Sequence, residues 1–466
     1  MKKIRVFRMI LFLLIILIPI LNINIKSNQV SDIDNKNLME FSEIFTEGEI
    51  IPNIQSYIQD RIGFRSEMVN LYTKGMDMLF NEMVHPSYQC GKYGYIFSKL
   101  KENETDKGFQ EVYSNFILNF QNYCTDRGIK FLYVTEPNKA TIYSEFLPKG
   151  YNYNNENLQY FLKLLKDKNV NYLYTGEALM KAKSSKQVFD KKYDANHWNE
   201  TGATIGMSSI LDRLNALDSS VNKFDINKFK AVEYTNTTLP VSHFAINEKT
   251  THYNLKKDNS IAIIDFSDEI KKSNQFRYFT HYKNLGNKNA PKILIFAGSY
   301  FHGRDKFLTE NFSELISIHN YHNVIDYDYY INIFNPDIVL FESTEYTHLD
   351  YYFPVDKMKN TMYNKTFEGY SNLLESEFAY IKDNTFKKSN TNLMNFSIPI
   401  EGEKASYAYA NIANRILDCR IKESNGKQYV EFSIPISDIK NLNEFKLYLI
   451  SEDESEIAKI PCNLKE

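Results

Sequence analysis

The sequence predicts an α/β fold: a parallel sheet packed between helices, with an N-terminal membrane anchor ahead of it and a small C-terminal β-rich domain after it. Three observations predict this. Amphipathic helical stripes alternate with short apolar runs of strand length through the middle of the chain, as in a doubly wound sheet whose strands are buried on both faces. A basic N-terminus leads into an uncharged apolar run. Beyond residue 380 helical spacing gives way to residue-by-residue alternation.

At 466 residues the chain exceeds one ordinary core, so two or three domains are expected. Hydrophobic residues make up 43% of it and the net charge is -3. That composition is globular and lacks the basic footprint of a nucleic-acid binder, so no nucleic-acid partner is expected.

Residues 1–26 hold Lys2, Lys3, Arg5 and Arg8, followed by the apolar run from Met9 to Ile25. This reads as a single-pass anchor with its N-terminus in the cytoplasm and the bulk of the chain on the extracytoplasmic side. Pro19 interrupts the run, and because no Ala-x-Ala site follows, the anchor is expected to stay uncleaved. Residues 27–85 form a helical arm: Ile54, Ile58, Ile62, Met68 and Leu71 have amphipathic spacing, and Tyr57 to Arg65 reads as a helix end and turn in a packed arm.

Residues 86–380 carry the α/β domain. Gly91 to Phe97 is a turn feeding a strand. Phe109, Phe116, Ile117 and Phe120 stripe a helix that stops at Arg127-Gly128, and Ile129 to Val134 is a buried strand. Leu158, Phe161, Leu162 and Leu165, then Val170 to Tyr174, repeat the theme. Asn199 or Thr201 caps a helix striped by Met207, Ile210, Leu211 and Leu214. Residues 221–289, with short β-like pieces such as Ser260 to Phe266, read as an insertion or lid beside the site. Lys292 to Phe296 is the next strand, Ala297 to Gly303 a glycine-flanked turn, and Leu308, Phe312 and Leu315 the start of a helix. Asn323 to Tyr327 and Asp337 to Phe341 read as two further strands. Residues 381–466 form the β-rich domain, expected to be a sandwich. Cys90, Cys124, Cys419 and Cys462 show no metal-ligand spacing. Cys419 and Cys462 read as buried free thiols, a bond between them being the alternative.

Polar residues that follow strands in such a sheet face its crevice. Asn138 and Lys139 follow one strand, Glu345 and Tyr346 another. Ser299 lies in the Ala297–Gly303 turn, in a strand–turn–helix layout that lifts a nucleophile's oxygen at the sheet edge; N–H groups at the helix start would hold an oxyanion. A serine needs a base, and the base works best when an acid fixes its tautomer. The stretch Tyr193 to Gly202 supplies His197 and Asp194, beside Trp198, the one tryptophan. Ser299, His197 and Asp194 are therefore the candidate catalytic residues. Tyr300, Asn138, Lys139, Trp198 and Glu345 are candidates for substrate or oxyanion binding. The bland alternatives are a turn serine, a structural histidine and a solvated Lys139. Asp194, His197, His302 and His348 have no local partners at ligand spacing, so no metal or cofactor is expected.

These residues resemble the AlgX/AlgJ SGNH-hydrolase-like family, which includes alginate O-acetyltransferases and DHHW-type proteins. The likeness runs from Ile54 to Tyr352. It is carried by Tyr57 to Arg65, Gly91 to Phe97, Pro137 to Tyr143 with Leu147-Pro148, His197-Trp198-Asn199 with Gly202-Ala203, Ala297 to Tyr300, and Phe341-Glu342 with Glu345-Tyr346. The resemblance implies an SGNH-hydrolase-like α/β/α sandwich at the outer face of the membrane. It further implies transfer of acetyl groups to hydroxyls of a surface polysaccharide, Ser299 as nucleophile and His197 as base, with acyl groups supplied by a membrane-bound O-acyltransferase partner. The C-terminal β-rich domain would grip polysaccharide. Ala297-Gly298-Ser299 stands where Gly-Asp-Ser is usual, and Ala195 where an acid two before the histidine is usual. Asp194, three before, matches the Asp-x-x-His spacing of the wider SGNH hydrolases. A carbohydrate O-acetyl esterase and a non-catalytic polysaccharide-binding or assembly protein are the alternative readings.

Overall fold

A computed structural model describes residues 2–463 other than 32, 34–36, 46–49, 81–82, 86, 100–105, 152, 241–243, 257–260, 265–267, 362–385, 389–391, 401–403, 414, 440–443 and 452–455. The expected 380/381 boundary and the ends of the Ser260–Phe266 piece lie outside the described residues.

The chain opens with α1 (Lys2–Leu21), which is long and apolar enough to cross a membrane. The arm follows as α2 (Ile50–Arg61) and α3 (Arg65–Phe80). It is packed at its base and not along its length. The Gly63 N–H donates to the Pro19 carbonyl at 3.0 Å, and the buried Arg61 guanidinium donates to the Asn24 and Lys26 carbonyls at 3.0 and 2.6 Å. Further along, Ile51, Leu71 and Met78 stay 79%, 74% and 80% exposed.

The α/β domain runs α4 (Lys107–Asp126), β1 (Lys130–Glu136), α5 (Glu156–Asp167), β2 (Tyr172–Tyr174), α6 (Glu200–Leu217), β3 (Ile261–Ile263), β4 (Phe279–Asn284), β5 (Lys292–Ala297), β6 (Glu314–His319), α7 (Tyr327–Phe334) and β7 (Ile338–Thr344). The strands form one sheet in the order β2-β1-β7-β5-β6-β4-β3. Side chains alternate across it. Leu132, Val134, Ile293, Ile295 and Leu340 face a core closed by α6. Phe131, Tyr133, Leu294, Phe296 and Val339 face the opposite core, closed by α4 and α7. This is the three-layer sandwich expected.

The sheet is parallel from β2 to β6 only. β4 and β3, from the segment read as an insertion, add an antiparallel edge. The same segment also forms a hairpin, Phe229–Thr238 with Ala245–Leu255. Two further expectations are corrected. No α-helix starts at Leu308: two short 3₁₀ turns, Asp305–Phe307 and Thr309–Asn311, lead directly into β6. The apolar run Leu315 to Ile318 is held as a strand because it pairs on both sides, with β5 and with β4. Asn323 to Tyr327, read as a strand, is a 3₁₀ turn, Asn323–Asp326, entering α7; Asn323 and Val324 are buried there by turn geometry.

The C-terminal β-rich unit is one seven-stranded antiparallel sheet and not two stacked sheets. Its strand Arg415–Ser424 pairs through Arg415 to Cys419 with Ile412 to Ala408, and through Arg420 to Ser424 with Glu431 to Lys427. That change of partner curls the sheet around its own core of Phe396, Ala410, Leu417, Val430, Phe432 and Leu447. Cys419 and Cys462 are buried and not joined in a disulfide. The unit meets α7 through Arg420, which donates to Asp326 at 2.7 Å and to Asp328 at 2.9 Å.

Candidate active site

β5 ends at Ala297, and the Phe301 N–H returns to the Gly298 carbonyl at 3.1 Å, closing a turn around Ser299. Ser299 Oγ lies 2.8 Å from His197 Nε2, and His197 Nδ1 lies 3.0 Å from Asp194 Oδ2. These are hydrogen-bond distances, so the chain acid–imidazole–hydroxyl is continuous.

The Asp194–His197 loop builds itself. Asp194 Oδ1 accepts the backbone N–H groups of Asn196 and His197, each at 2.9 Å. Burial works to raise the Asp194 pKa, but the His197 charge, its ring N–H and these backbone donors outweigh burial and hold the carboxyl well below its usual range. Ala195 is turned away into an apolar cluster with Met83, Ile96 and Leu239, so the acid at the neighbouring position is the one that reaches the imidazole. Asn199 caps α6 by accepting the Gly202 N–H at 2.9 Å, which fixes where the loop ends.

Three of the residues expected to touch substrate serve the frame of the site. Lys139 is 1% exposed and donates from Nζ to the carbonyls of Ile96, Asp194 and Lys191 at 2.6, 3.0 and 3.2 Å. It is neither solvated nor free for an anionic ligand. Burial lowers its pKa to about 8, against the pull of Asp194, Asp190 and Glu248. Trp198 is fully buried and its indole N–H donates to the Tyr300 carbonyl at 3.0 Å. The Tyr300 side chain is also buried, its hydroxyl 2.8 Å from the Asn196 carbonyl and 3.0 Å from that of Pro137. Aromatic bulk here bridges the serine turn and the histidine loop; sequence could not distinguish that from a substrate contact.

Asn138 caps a short helix, accepting the Thr141 N–H at 2.8 Å, and donates its own N–H to Glu345 at 2.9 Å. Burial raises the Glu345 pKa to about 7, partly offset by its bonds from Thr141 and Asn138. Because short 3₁₀ turns and no α-helix follow the serine turn, the expected α-helix N-terminus is not there to hold an oxyanion.

Other residues of the site were given no role from sequence, although Glu342 and Tyr346 follow a predicted strand. Tyr346 stands beside Ser299, and its hydroxyl accepts from Asn196 Nδ2 at 2.8 Å. Glu342 Oε2 accepts the Gly298 N–H at 2.5 Å. Beside Glu342 lies Glu136, also fully buried; burial raises both carboxyls, and the Glu342 charge raises Glu136 further. Glu248, on the hairpin, accepts the N–H groups of Lys191, Lys192 and Tyr193 at 2.6, 2.8 and 2.6 Å. The segment read as a lid thus braces the loop bearing Asp194. A carboxylate at the end of β7 was a visible signal for Glu342; nothing in the sequence tied Glu248 to a loop more than fifty residues earlier.

His302, three residues past Ser299, stacks on Tyr278 with ring centroids 3.7 Å apart. His348 accepts or donates at 3.0 Å to Ser343 in a buried network with Tyr133. Burial lowers their pKa values to about 4 and about 3, so both are neutral at pH 7. Among the described residues no group of three or more His, Cys, Asp or Glu is arranged to hold a metal.

Residues 89–248 match the family described as the SGNH hydrolase-like domain of the acetyltransferase AlgX. The resemblance read from the sequence holds over this stretch, which contains Asp194 and His197 and ends before Ser299. No curated protein gives a significant match. Among solved structures, the chain is similar to PatB1 of Bacillus cereus at 18% identity and a TM-score of 0.44, covering 55% of this chain and 95% of that one. It is similar to the O-acetyltransferase domain of Pseudomonas putida AlgJ at 15% identity and TM-score 0.42, covering 60% and 100%. With Pseudomonas aeruginosa AlgX the identity is 12% and the TM-score 0.39, over 81% and 90% of the two chains.

Proposed function

We propose that this chain is an extracytoplasmic O-acetyltransferase that modifies hydroxyls of a cell-surface polysaccharide through an acyl-Ser299 intermediate. The observation that carries the reading is the hydrogen-bonded chain from Asp194 through His197 to Ser299. His197 Nε2 takes the serine proton as Oγ attacks the acyl carbonyl, and returns it to the departing donor group. An acceptor hydroxyl then gives its proton to Nε2 as it attacks the acyl-serine carbonyl, and the proton passes back to Ser299 as the product ester leaves. Asp194 holds the tautomer that keeps Nε2 facing the serine. The Tyr346 hydroxyl, which accepts from Asn196, would turn its proton toward oxygen charge developing beside Ser299.

The α1 anchor would hold the domain at the outer membrane face, where a membrane-bound O-acyltransferase supplies acyl groups. The C-terminal β-rich unit would bind the polymer. The test is the acetyl-ester content of the surface polymer in cells carrying Ser299→Ala: near-complete loss is expected, and unchanged acetylation would refute the reading.

A further inference from the structure

A groove beyond Tyr346 is left unused by the chemistry at Ser299. One end is walled by Asp106, Gln110, Asn138, Glu345 and Tyr346. The other, with a volume of 410 Å³, is walled by Tyr174 and Glu177 among others. Tyr153, Asn154 and Asn155 line both ends, so the two share a wall. Its size falls in the range of small-ligand sites, about 300–1,000 Å³. Tyr346 is the shared wall: it lines the groove and stands beside Ser299.

The lining is amide, phenol and carboxyl. Among the described lining residues there is no lysine or arginine, and acids stand at both ends, Asp106 and Glu345 at one and Glu177 at the other. Gln110 is 6% exposed; its Nε2 donates to the Asn157 carbonyl at 3.2 Å, which fixes the amide so that Oε1 is left as a buried acceptor with no partner. Glu345 Oε2 is a second buried polar atom without a partner. Buried polar atoms without partners cost free energy in the empty protein, and a ligand that brings O–H or N–H groups recovers it.

We propose that this groove binds the acceptor glycan beside the reacting sugar, and that this glycan is uncharged: a chain of neutral or N-acetylated sugars and not a polyuronate. Sugar hydroxyls, which both donate and accept, supply the partners that Gln110 and Glu345 lack, and Tyr153 and Tyr174 among the lining residues suit sugar rings. A polyuronate places a carboxylate on every residue, and here those charges would meet Asp106 and Glu177 with no lining cation to pair them. The proposal rests on reading Ser299 as the acyl-transfer nucleophile.

The test uses the full chain in detergent, titrated calorimetrically with chitohexaose, cellohexaose and a mannuronate hexamer. At least one neutral hexamer is expected to bind ten times more tightly than the uronate, with an affinity that does not change between low and high salt. Asn155→Ala, at an exposed position, should weaken neutral binding at least threefold while Ser299 keeps its reactivity toward a sulfonyl fluoride probe. Glu177→Lys, also exposed, should raise affinity for the uronate. Uronate binding as tight as neutral binding in the unaltered protein, or neutral binding untouched by Asn155→Ala, overturns the proposal. Uronate binding accompanied by Ser299-dependent acetylation would sink the groove assignment alone; neutral binding that never leads to acetyl transfer would support the groove and sink the transferase reading.

Discussion

Glu342 and Gly298 are joined by a hydrogen bond of 2.5 Å, from the Gly298 N–H to Glu342 Oε2, one residue before Ser299. The bond ties the turn to the end of β7. Glu342→Ala would leave a buried N–H without an acceptor, at about 1–3 kcal/mol, and would free the turn to move. Turnover is expected to fall at least tenfold, with a lower denaturation midpoint. Glu342→Gln keeps an oxygen for Gly298 and should recover most of both. Equal activity in Glu342→Ala and the parent would show that other bonds suffice to hold the turn.

Asp194→Asn separates orientation from architecture. An amide oxygen still accepts the Asn196 and His197 N–H groups, so the loop should keep its shape, but it no longer stabilises imidazolium or fixes the tautomer. By analogy with serine-protease triads the rate should drop on the order of 10²–10⁴-fold. Unchanged thermal stability together with that loss is the expected pair of results. A loss of less than threefold would remove Asp194 from the triad.

Glu345 makes stability depend on pH near neutrality. Its folded pKa, about 7, lies above the ordinary carboxyl value of 4.5 from which it starts, so the folded state favours the protonated acid. That contribution is complete below about pH 4.5 and is lost as pH rises through 7. A shift of this size corresponds to about 3 kcal/mol. Urea unfolding from pH 5 to 8 should therefore show a smaller fall in stability for Glu345→Gln than for the parent. Parallel curves would mean that the carboxyl is ionised in the folded protein. Asp190, whose pKa burial and Glu248 raise to about 7, pushes the parent in the same direction, so the difference between the two proteins is the quantity to read.

The features legible in the sequence were those with a local signature. The stripes of α4, α5 and α6 and the apolar runs of β1, β5 and β7 each announce themselves by period, and they place Ser299 and His197 at one edge of the sheet. Residues 314–319 carry no such signature: Glu314-Leu-Ile-Ser-Ile-His319 becomes a strand because β5 and β4 wait on both sides. The spacing of the acid was legible as a sequence fact, but its cause was not. Ala195 fills a place in a cluster with Met83 and Leu239, contacts made by residues far away in the chain. Lys139 and Trp198 were misassigned for a related reason. Both occupy positions where chemistry is expected, and only packing reveals that their polar atoms are spent on backbone carbonyls.

Gly206 supports the site from the middle of α6. A Cβ built there would lie 2.2 Å from Trp198 Cζ3, so the glycine exists to let the indole lie against the helix. In an exposed helix Gly→Ala is worth about 1 kcal/mol of stabilisation; here the added methyl must displace a fully buried ring, and overpacking of that kind typically costs about 1–3 kcal/mol. Displacement would also pull the indole N–H from the Tyr300 carbonyl, 3.0 Å away, next to Ser299. Gly206→Ala should therefore lower both stability and turnover. Because Trp198 is the only tryptophan, near-ultraviolet circular dichroism reports its packing directly. Trp198→Phe removes the N–H while keeping an apolar ring, and should reproduce the loss of turnover with a smaller loss of stability. A Gly206→Ala protein with unaltered tryptophan signal and full activity would mean that α6 can shift to accept the methyl without disturbing the serine turn.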